Sequence, residues 1–360
     1  MKFRTLLVGS LGATAALAAH AQSSVTLYGL LDVAPAMFSR TNAVDDSMVK
    51  LNSDTGSSSR FGVRGTEDLG GGLSAIFNLE SPIDPKSGVA GGAASSGACG
   101  AGCAPSPAFW RRNAYVGLKG SFGEVTLGRN YTAAVIKQAA TLSATPSGIN
   151  TGMGLTLLSQ GISNDFWNSN QIRYDSPRLG PIDFAVHVAS GEGASGKSMG
   201  GNARFMQGPV VVSLSVQKNE DLFDKSVTWT MISGTYDFGG FKLHAGANQV
   251  DNGDGVAGFV DSDLWTVGAS FKATDVLTVA AQYWTVKEKV GASSTSKLLV
   301  LNADYRLSKR SALYAMFGYV DNEDLGIAPL WGNQNFGGSG NVIVRNDKSN
   351  GLAVGVRHTF

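Results

Sequence analysis

Arginines carry the most specific chemical signal in this sequence. Arg60, Arg64, Arg111 and Arg173 fall on the polar face of segments that alternate apolar and polar residues. A guanidinium stays charged and presents a planar fork of donors that fits anionic oxygens. Several on one water-facing wall would raise the local anion concentration, since a narrow low-dielectric cleft focuses their field. Glu80 and Glu124, with Asp68 and Asp175, are the carboxylates placed to pair with them. Arg129 shares the parity of Val125 and Leu127, so its side is left open. This is chemistry of selection, not of bond making. His187, His244 and His358 are far apart in sequence and no nucleophile motif accompanies them, so they read as wall residues and not as general bases. Cys99 and Cys103 sit in a Gly/Ala/Ser-rich stretch, 88–107. In an oxidising compartment they are expected to close a small disulfide loop, whereas a metal would need more ligands than this pair offers.

The elements that would position these side chains recur along the chain. Alternation with period two is clear in 25–33, 60–68, 73–80, 111–119, 182–189, 210–217, 241–249, 264–272, 277–287, 299–307, 313–320 and 350–360. It is weaker in 124–130, 170–175, 202–206 and 227–238, the last changing parity near Met231 and Ile232 as a bulge would make it. The expectation is an all-β fold, a transmembrane antiparallel β-barrel of about sixteen strands. Connections support it. Short turns at 69–72, 120–122, 177–180, 207–208, 239–240, 273–275 and 308–310 alternate with long loops at 39–58, 82–109, 131–169, 190–200, 219–226, 251–261, 289–296 and 321–349. Outer-membrane barrels separate short periplasmic turns from long extracellular loops in this way, and a β-sandwich has no reason to.

Lys2 and Arg4 precede an apolar run from Leu6 to Ala18, and Ala19-His20-Ala21 follows. This is the pattern of a cleaved export signal, 1–21, with Gln22 as the first mature residue and 22–360 as a single domain. The chain carries a formal charge of +1, and loss of Lys2 and Arg4 takes it to −1, so no basic excess points to nucleic acid. Mean hydropathy is +0.01. Past the signal no apolar run is long enough for a spanning helix. Barrel strands average to neutral hydropathy all the same, because lipid-facing and water-facing residues alternate. Glycine, at 47 of 360 residues, opposes long helices and suits tight turns. Inside hydrocarbon every backbone N–H and C=O must be paired internally, so strands can cross only as a closed sheet.

Blocks of sequence spanning the whole chain then resemble the general porins of β-proteobacteria, the neisserial and Burkholderia-type family of sixteen-stranded trimeric barrels. They are Ser24-Val-Thr-Leu-Tyr-Gly-Leu-Leu-Asp32, Ser59-Arg-Phe-Gly-Val-Arg-Gly-Thr-Glu-Asp-Leu-Gly-Gly-Gly-Leu73, Asn113-Ala-Tyr-Val-Gly-Leu118, Phe122-Gly-Glu-Val-Thr-Leu-Gly-Arg129, Ile172-Arg-Tyr-Asp-Ser-Pro177 and Val354-Gly-Val-Arg-His-Thr-Phe360. The resemblance implies a water-filled outer-membrane channel for ions and small hydrophilic solutes, with no cofactor, metal or catalytic residue. It implies a homotrimer in outer-membrane lipid and lipopolysaccharide, with loop 82–109 reaching over a neighbouring subunit. The third loop, 131–169, would fold inward and narrow the pore. Arg60 and Arg111 fall at the family's constriction arginines, Arg173 is a third and Arg129 belongs to the family motif. Phe360 with His358, Val356 and Val354 matches the terminal signal read by the barrel-assembly machinery. The loop departs from the family in carrying only Lys137 and Asp165 as charges, which implies a weak to moderate anion preference. Two other readings stand beside the general porin. Tyr28, Tyr115 and Trp284 face inward by parity and could form a sugar-stacking track of a substrate-specific channel, and some outer-membrane barrels are hydrolases.

Overall fold

Alternation becomes strand pairing almost wherever the sequence carries it. The computed structural model describes residues 24–39, 47–94, 106–144, 166–191, 196–256, 260–289, 294–323 and 347–360. The signal segment 1–21, Cys99, Cys103 and Asp165 lie outside the described residues. The wall runs β1 (Ser24–Ser39), β2 (Met48–Ser53), β3 (Arg60–Gly70), β4 (Leu73–Asp84), β5 (Asn113–Gly120) and β6 (Gly123–Tyr131). A helix, α1 (Ala133–Leu142), precedes β7 (Trp167–Asp175), β8 (Ile182–Ala189), β9 (Ser198–Gln207), β10 (Val210–Glu220) and β11 (Ser226–Asp237). It closes with β12 (Phe241–Asp251), β13 (Ser262–Lys272), β14 (Leu277–Glu288), β15 (Ser294–Arg306), β16 (Ser311–Asn322) and β17 (Asp347–Thr359).

Every neighbouring pair is antiparallel, and β1 pairs β17 from Leu30↔Thr359 to Ser39↔Asn350, which closes the sheet. On its other edge β1 pairs β3 over Ser24–Leu30 and β2 over Val33–Phe38. Strands β2 and β3 therefore share one place in the wall, broken by residues 54–59, and the barrel has sixteen strand positions. Residues 48–53, read from sequence as part of a long loop, are strand because β1 extends beyond β3 and its edge must be paired. Tight turns need the left-handed backbone that glycine supplies: Gly70, Gly71 and Gly72 have φ of 84°, 62° and 80° between β3 and β4.

Outward positions are apolar and exposed, such as Val25, Leu27, Val116, Leu118, Ile172, Val186, Leu214, Val267, Leu301, Val354 and Val356. Aromatics gather toward strand ends: Tyr236, Phe238 and Phe241 stack beside one turn, and Trp265 lies 5.5 Å from Tyr283. Rings with one apolar and one polar face suit a membrane interface. Among the described residues no helix is long and apolar enough to cross a membrane.

Two local expectations are corrected. The parity change at Met231 and Ile232 is not a bulge: β11 pairs both neighbours in unbroken register, and Val227, Trp229 and Met231 simply face inward. A shift does occur between Asn168 and Gln171, where Asn170 has φ 54°. Finally, the inward face is not polar throughout. Trp284, Val286, Leu298, Val300, Tyr314 and Met316 share the inward parity of Gln282 and Asn302, and all are nearly fully buried in one cluster with Ala134, Val135 and Leu142 of α1. In half of the barrel's circumference, then, inward apolar side chains form a core within the lumen.

Candidate pore lining and constriction

Helix α1 lies inside the barrel, and the wall satisfies its ends. Helix termini leave backbone donors and acceptors without intrahelical partners. Thr132 makes no side-chain cap; instead Ala133 N donates to His187 Nδ1 at 3.2 Å. His187 must then carry its proton on Nε2, which sits 3.2 Å from Ser198 Oγ, and Ser198 donates to Asn219 Oδ1 at 2.7 Å. At the other end His244 Nδ1 lies 3.2 Å from Thr141 O, and Gln282 Nε2 donates to Leu142 O at 2.6 Å. Midway, Gln138 Nε2 donates to Ser233 Oγ at 2.8 Å while its Oε1 accepts from Ser215 Oγ at 2.9 Å. Small residues let the chain come close: a Cβ on Gly246 would stand 2.7 Å from Leu142 Cδ1, and one on Gly268 2.9 Å from the Ala144 Cβ. The polar inward residues of β8 to β14 thus serve as a ledge for the segment after β6.

Charge anchors the same helix. Lys137 Nζ is 3.1 Å from Asp183 and 3.6 Å from Asp175. Asp183 also takes a two-pronged contact from Arg204, at 3.0 and 2.6 Å, and Asp175 one from Arg173, at 2.7 and 2.8 Å. Arg173 Nη1 further donates to Tyr131 O at 3.0 Å. Arg173, Asp175, Lys137, Asp183 and Arg204 form one ladder. Two-pronged guanidinium–carboxylate pairs are both strong and geometrically specific. Lys137, the described charge of the loop, is therefore neutralised against the wall.

A second group lies on β1, β3 and β4, across the barrel from α1 in strand order. Arg60 Nη1 donates to Ser58 O at 2.7 Å, and its Nε is 3.5 Å from Glu80. Arg64 stacks over the Tyr28 ring, 5.1 Å from its centroid, and is exposed. The Tyr28 hydroxyl lies 2.9 Å from Glu80 Oε2 and 3.0 Å from Asn78 Oδ1. Gly62 makes room for that ring, since a Cβ there would meet the Tyr28 hydroxyl at 2.7 Å.

The remaining arginines separate. Strand β5 begins at Asn113, so residue 111 precedes the strand and the parity that set Arg111 inward does not extend to it. Its neighbour Arg112 turns to the wall instead, with Nε 2.5 Å from Glu80 Oε1, Nη2 on the Tyr131 hydroxyl and the guanidinium 4.7 Å from the Trp167 ring centroid. Arg112 is fully buried and had no place in the sequence reading; two adjacent arginines at a strand start were the signal that one of them must turn the other way. Arg129 pairs with Ala114 on the outward parity and braces the rim through Arg111 O and Ser169 Oγ. It does not stand with the inward arginines. Glu124 sits beside Lys119, 3.8 Å away, near the short-turn end and away from Glu80. Among the described residues no group of three or more His, Cys, Asp and Glu could hold a metal.

A closed sixteen-position barrel, apolar outside, with a charged inner wall and a segment folded into its lumen, is the architecture of an outer-membrane diffusion channel. The chain belongs to the Gram-negative porin family, whose sequence profile matches residues 7–325. Outer membrane porin protein 32 of Delftia acidovorans is 30% identical over 356 residues, covering 95% of this chain and 96% of that protein. An outer membrane porin of Bordetella pertussis is 27% identical over 99% of this chain and all of its own. Among solved structures, the anion-selective porin from Comamonas acidovorans superposes with a TM-score of 0.76 at 26% identity, over 94% of this chain and 100% of its own. The chain is an outer-membrane porin of a Gram-negative bacterium.

Proposed function

We propose that the channel prefers anions, and that Arg60 and Arg64 on β3 set the preference. The observation that carries this is an asymmetry across the lumen. One wall presents Arg60 and the exposed Arg64; the helix opposite presents among its described residues only Lys137, itself held by Asp175 and Asp183. Glu80 lies between Arg60 and Arg112 and is shared by both, while Arg64 stands exposed beside Tyr28. An aqueous narrowing with such a wall favours anions over cations. The likeness to an anion-selective porin points the same way. Loop 131–169 is the constriction in this reading, with α1 as its docked segment and Arg173, paired to Asp175, in the wall beside it.

The same reading assigns 1–21 to a cleaved signal, a Cys99–Cys103 bridge to loop 82–109 and the terminal Val354, Val356, His358 and Phe360 to recognition by the assembly machinery. Support for the last is that Phe360 pairs with Gly29 through two backbone bonds of 3.1 Å, so the terminal residue seals the barrel seam. A homotrimer in lipid and lipopolysaccharide fits the family, and one structural relative is described in a trimer form. The channel performs no bond chemistry: His187 is engaged at both ring nitrogens in holding the loop. Reversal potentials across a planar bilayer in a potassium chloride gradient test the selectivity. A chloride preference is expected, and a potassium preference refutes it.

A further inference from the structure

At the short-turn end, β13 to β17 line a cleft of about 460 Å³, on strands apart from those that carry Arg60 and Arg64. Its lining includes Lys272, Arg306, Lys309, Arg310 and Arg357. Against these five cations stand two carboxylates, Asp275 and Asp304. Both are taken: Asp304 accepts from Arg357 Nη2 at 2.7 Å, and Asp275 from Lys272 Nζ at 2.7 Å. Neither Lys309 nor Arg310 has a carboxylate within ion-pair distance among the described residues.

Register explains the shape. Arg306 faces Ala312 on β16, and Ala312 faces Arg357 on β17, so a methyl group separates two guanidiniums in one inward row. That leaves a notch with a cation on each side. The turn at 307–310 stands over it, knotted by Ser308 Oγ, which accepts from the backbone N–H of Arg310 at 3.1 Å and of Ser311 at 3.0 Å. Those bonds fix the turn and leave its two cationic side chains exposed. At the floor, Arg357 Nη1 is buried without a hydrogen-bond partner. A donor of that kind costs free energy unless something accepts from it.

We propose that this cleft is a second anion station, at the periplasmic mouth, which binds a small multivalent oxyanion such as phosphate or a dicarboxylate. Arg306, whose Nη2 is held by Asp275 O, offers the anion its remaining N–H groups, the exposed Lys309 and Arg310 close over it, and Arg357, paired to Asp304, adds its charge from behind. The volume lies within the range of small-molecule sites. A monovalent halide meets only one arm and gains little, so the station distinguishes oxyanions from chloride. It stands on different strands from Arg60 and Arg64 and goes beyond the selectivity proposed for them.

The test uses the full mature protein in detergent, titrated calorimetrically with inorganic phosphate at low ionic strength, where exposed charges are least screened. The R60Q/R64Q protein keeps phosphate binding, because the station is elsewhere. Adding K309Q/R310Q, exposed turn residues whose loss leaves the barrel folded by heat-modifiable migration on gels, weakens binding about tenfold or more. Loss of binding in R60Q/R64Q alone, binding unchanged by K309Q/R310Q, or no phosphate binding by the unmodified protein each overturns the proposal. Reversal potentials of the wild type are a separate measurement, so the two sites fail or stand independently.

Discussion

Replacing Gln138 with leucine should loosen the loop helix while leaving the barrel intact. Gln138 is fully buried, donates to Ser233 Oγ at 2.8 Å and accepts from Ser215 Oγ at 2.9 Å. Leucine keeps the bulk and loses both of these bonds, along with the longer contacts to Ser213 O at 3.5 Å and from Asn202 Nδ2 at 3.3 Å. At a net 0.5–1.5 kcal/mol per bond the docking of α1 weakens by about 1–3 kcal/mol, a factor of roughly five to a hundred and fifty in the docked-to-undocked ratio. Ser233 keeps its contact with Thr141, and Ser215 its bond to Ala134 O at 2.8 Å, so the cost falls on docking more than on the wall. Single-channel recording of Q138L should show larger or noisier open currents, with gel migration still reporting a folded barrel. A quiet channel of wild-type conductance would refute the view that this polar ledge holds the segment in the lumen.

Three further outcomes are expected. Gly29→Ala places a Cβ 2.2 Å from the Phe360 ring, so the ring must leave the seam; folded protein in outer-membrane fractions should fall as it does on deletion of Phe360, and wild-type levels of both variants would contradict that. Tyr314→Phe removes the 2.6 Å bond to fully buried Asp32, whose other oxygen already lacks a partner; the loss of about 1–3 kcal/mol should lower the temperature at which the barrel unfolds on gels, and an unchanged midpoint counts against it. Arg112→Gln leaves buried Glu80 without its closest cation, and breaking a buried pair costs about 3–5 kcal/mol, so unfolding should shift further than for R129Q at the rim; equal shifts would contradict the division between them.

The barrel was legible because its physics repeats. One wrong parity in a strand changes little when sixteen positions obey the same rule, and the short-long rhythm of the connections gives each strand its direction. In β3 the alternation carries through from Arg60, its first residue, to Arg64 in its interior, and both keep the face that parity gives them. Ahead of β5 parity has no hold: residue 111 lies two positions before the strand, and its neighbour Arg112, which the alternation did not single out, makes the contact with Glu80. Docking of α1 was beyond local reading, since its partners His187, Ser215, Ser233 and Gln282 lie roughly 50–140 residues away in sequence and are brought together only by closure of the sheet. The apolar inward patch was hidden for a related reason. Around Trp284 and Val286 period-two alternation says that faces differ, not which one meets water, and both residues are buried in the apolar cluster on the inward face.

Reversal potentials measured side by side for the wild type and R60Q/R64Q bear most directly on the selectivity wall. In a fixed potassium chloride gradient the wild type should settle at a potential of chloride sign, and the variant should move toward zero or past it. Identical potentials for the two proteins, or a wild type that passes potassium in preference, would contradict the assignment of ion choice to these two arginines.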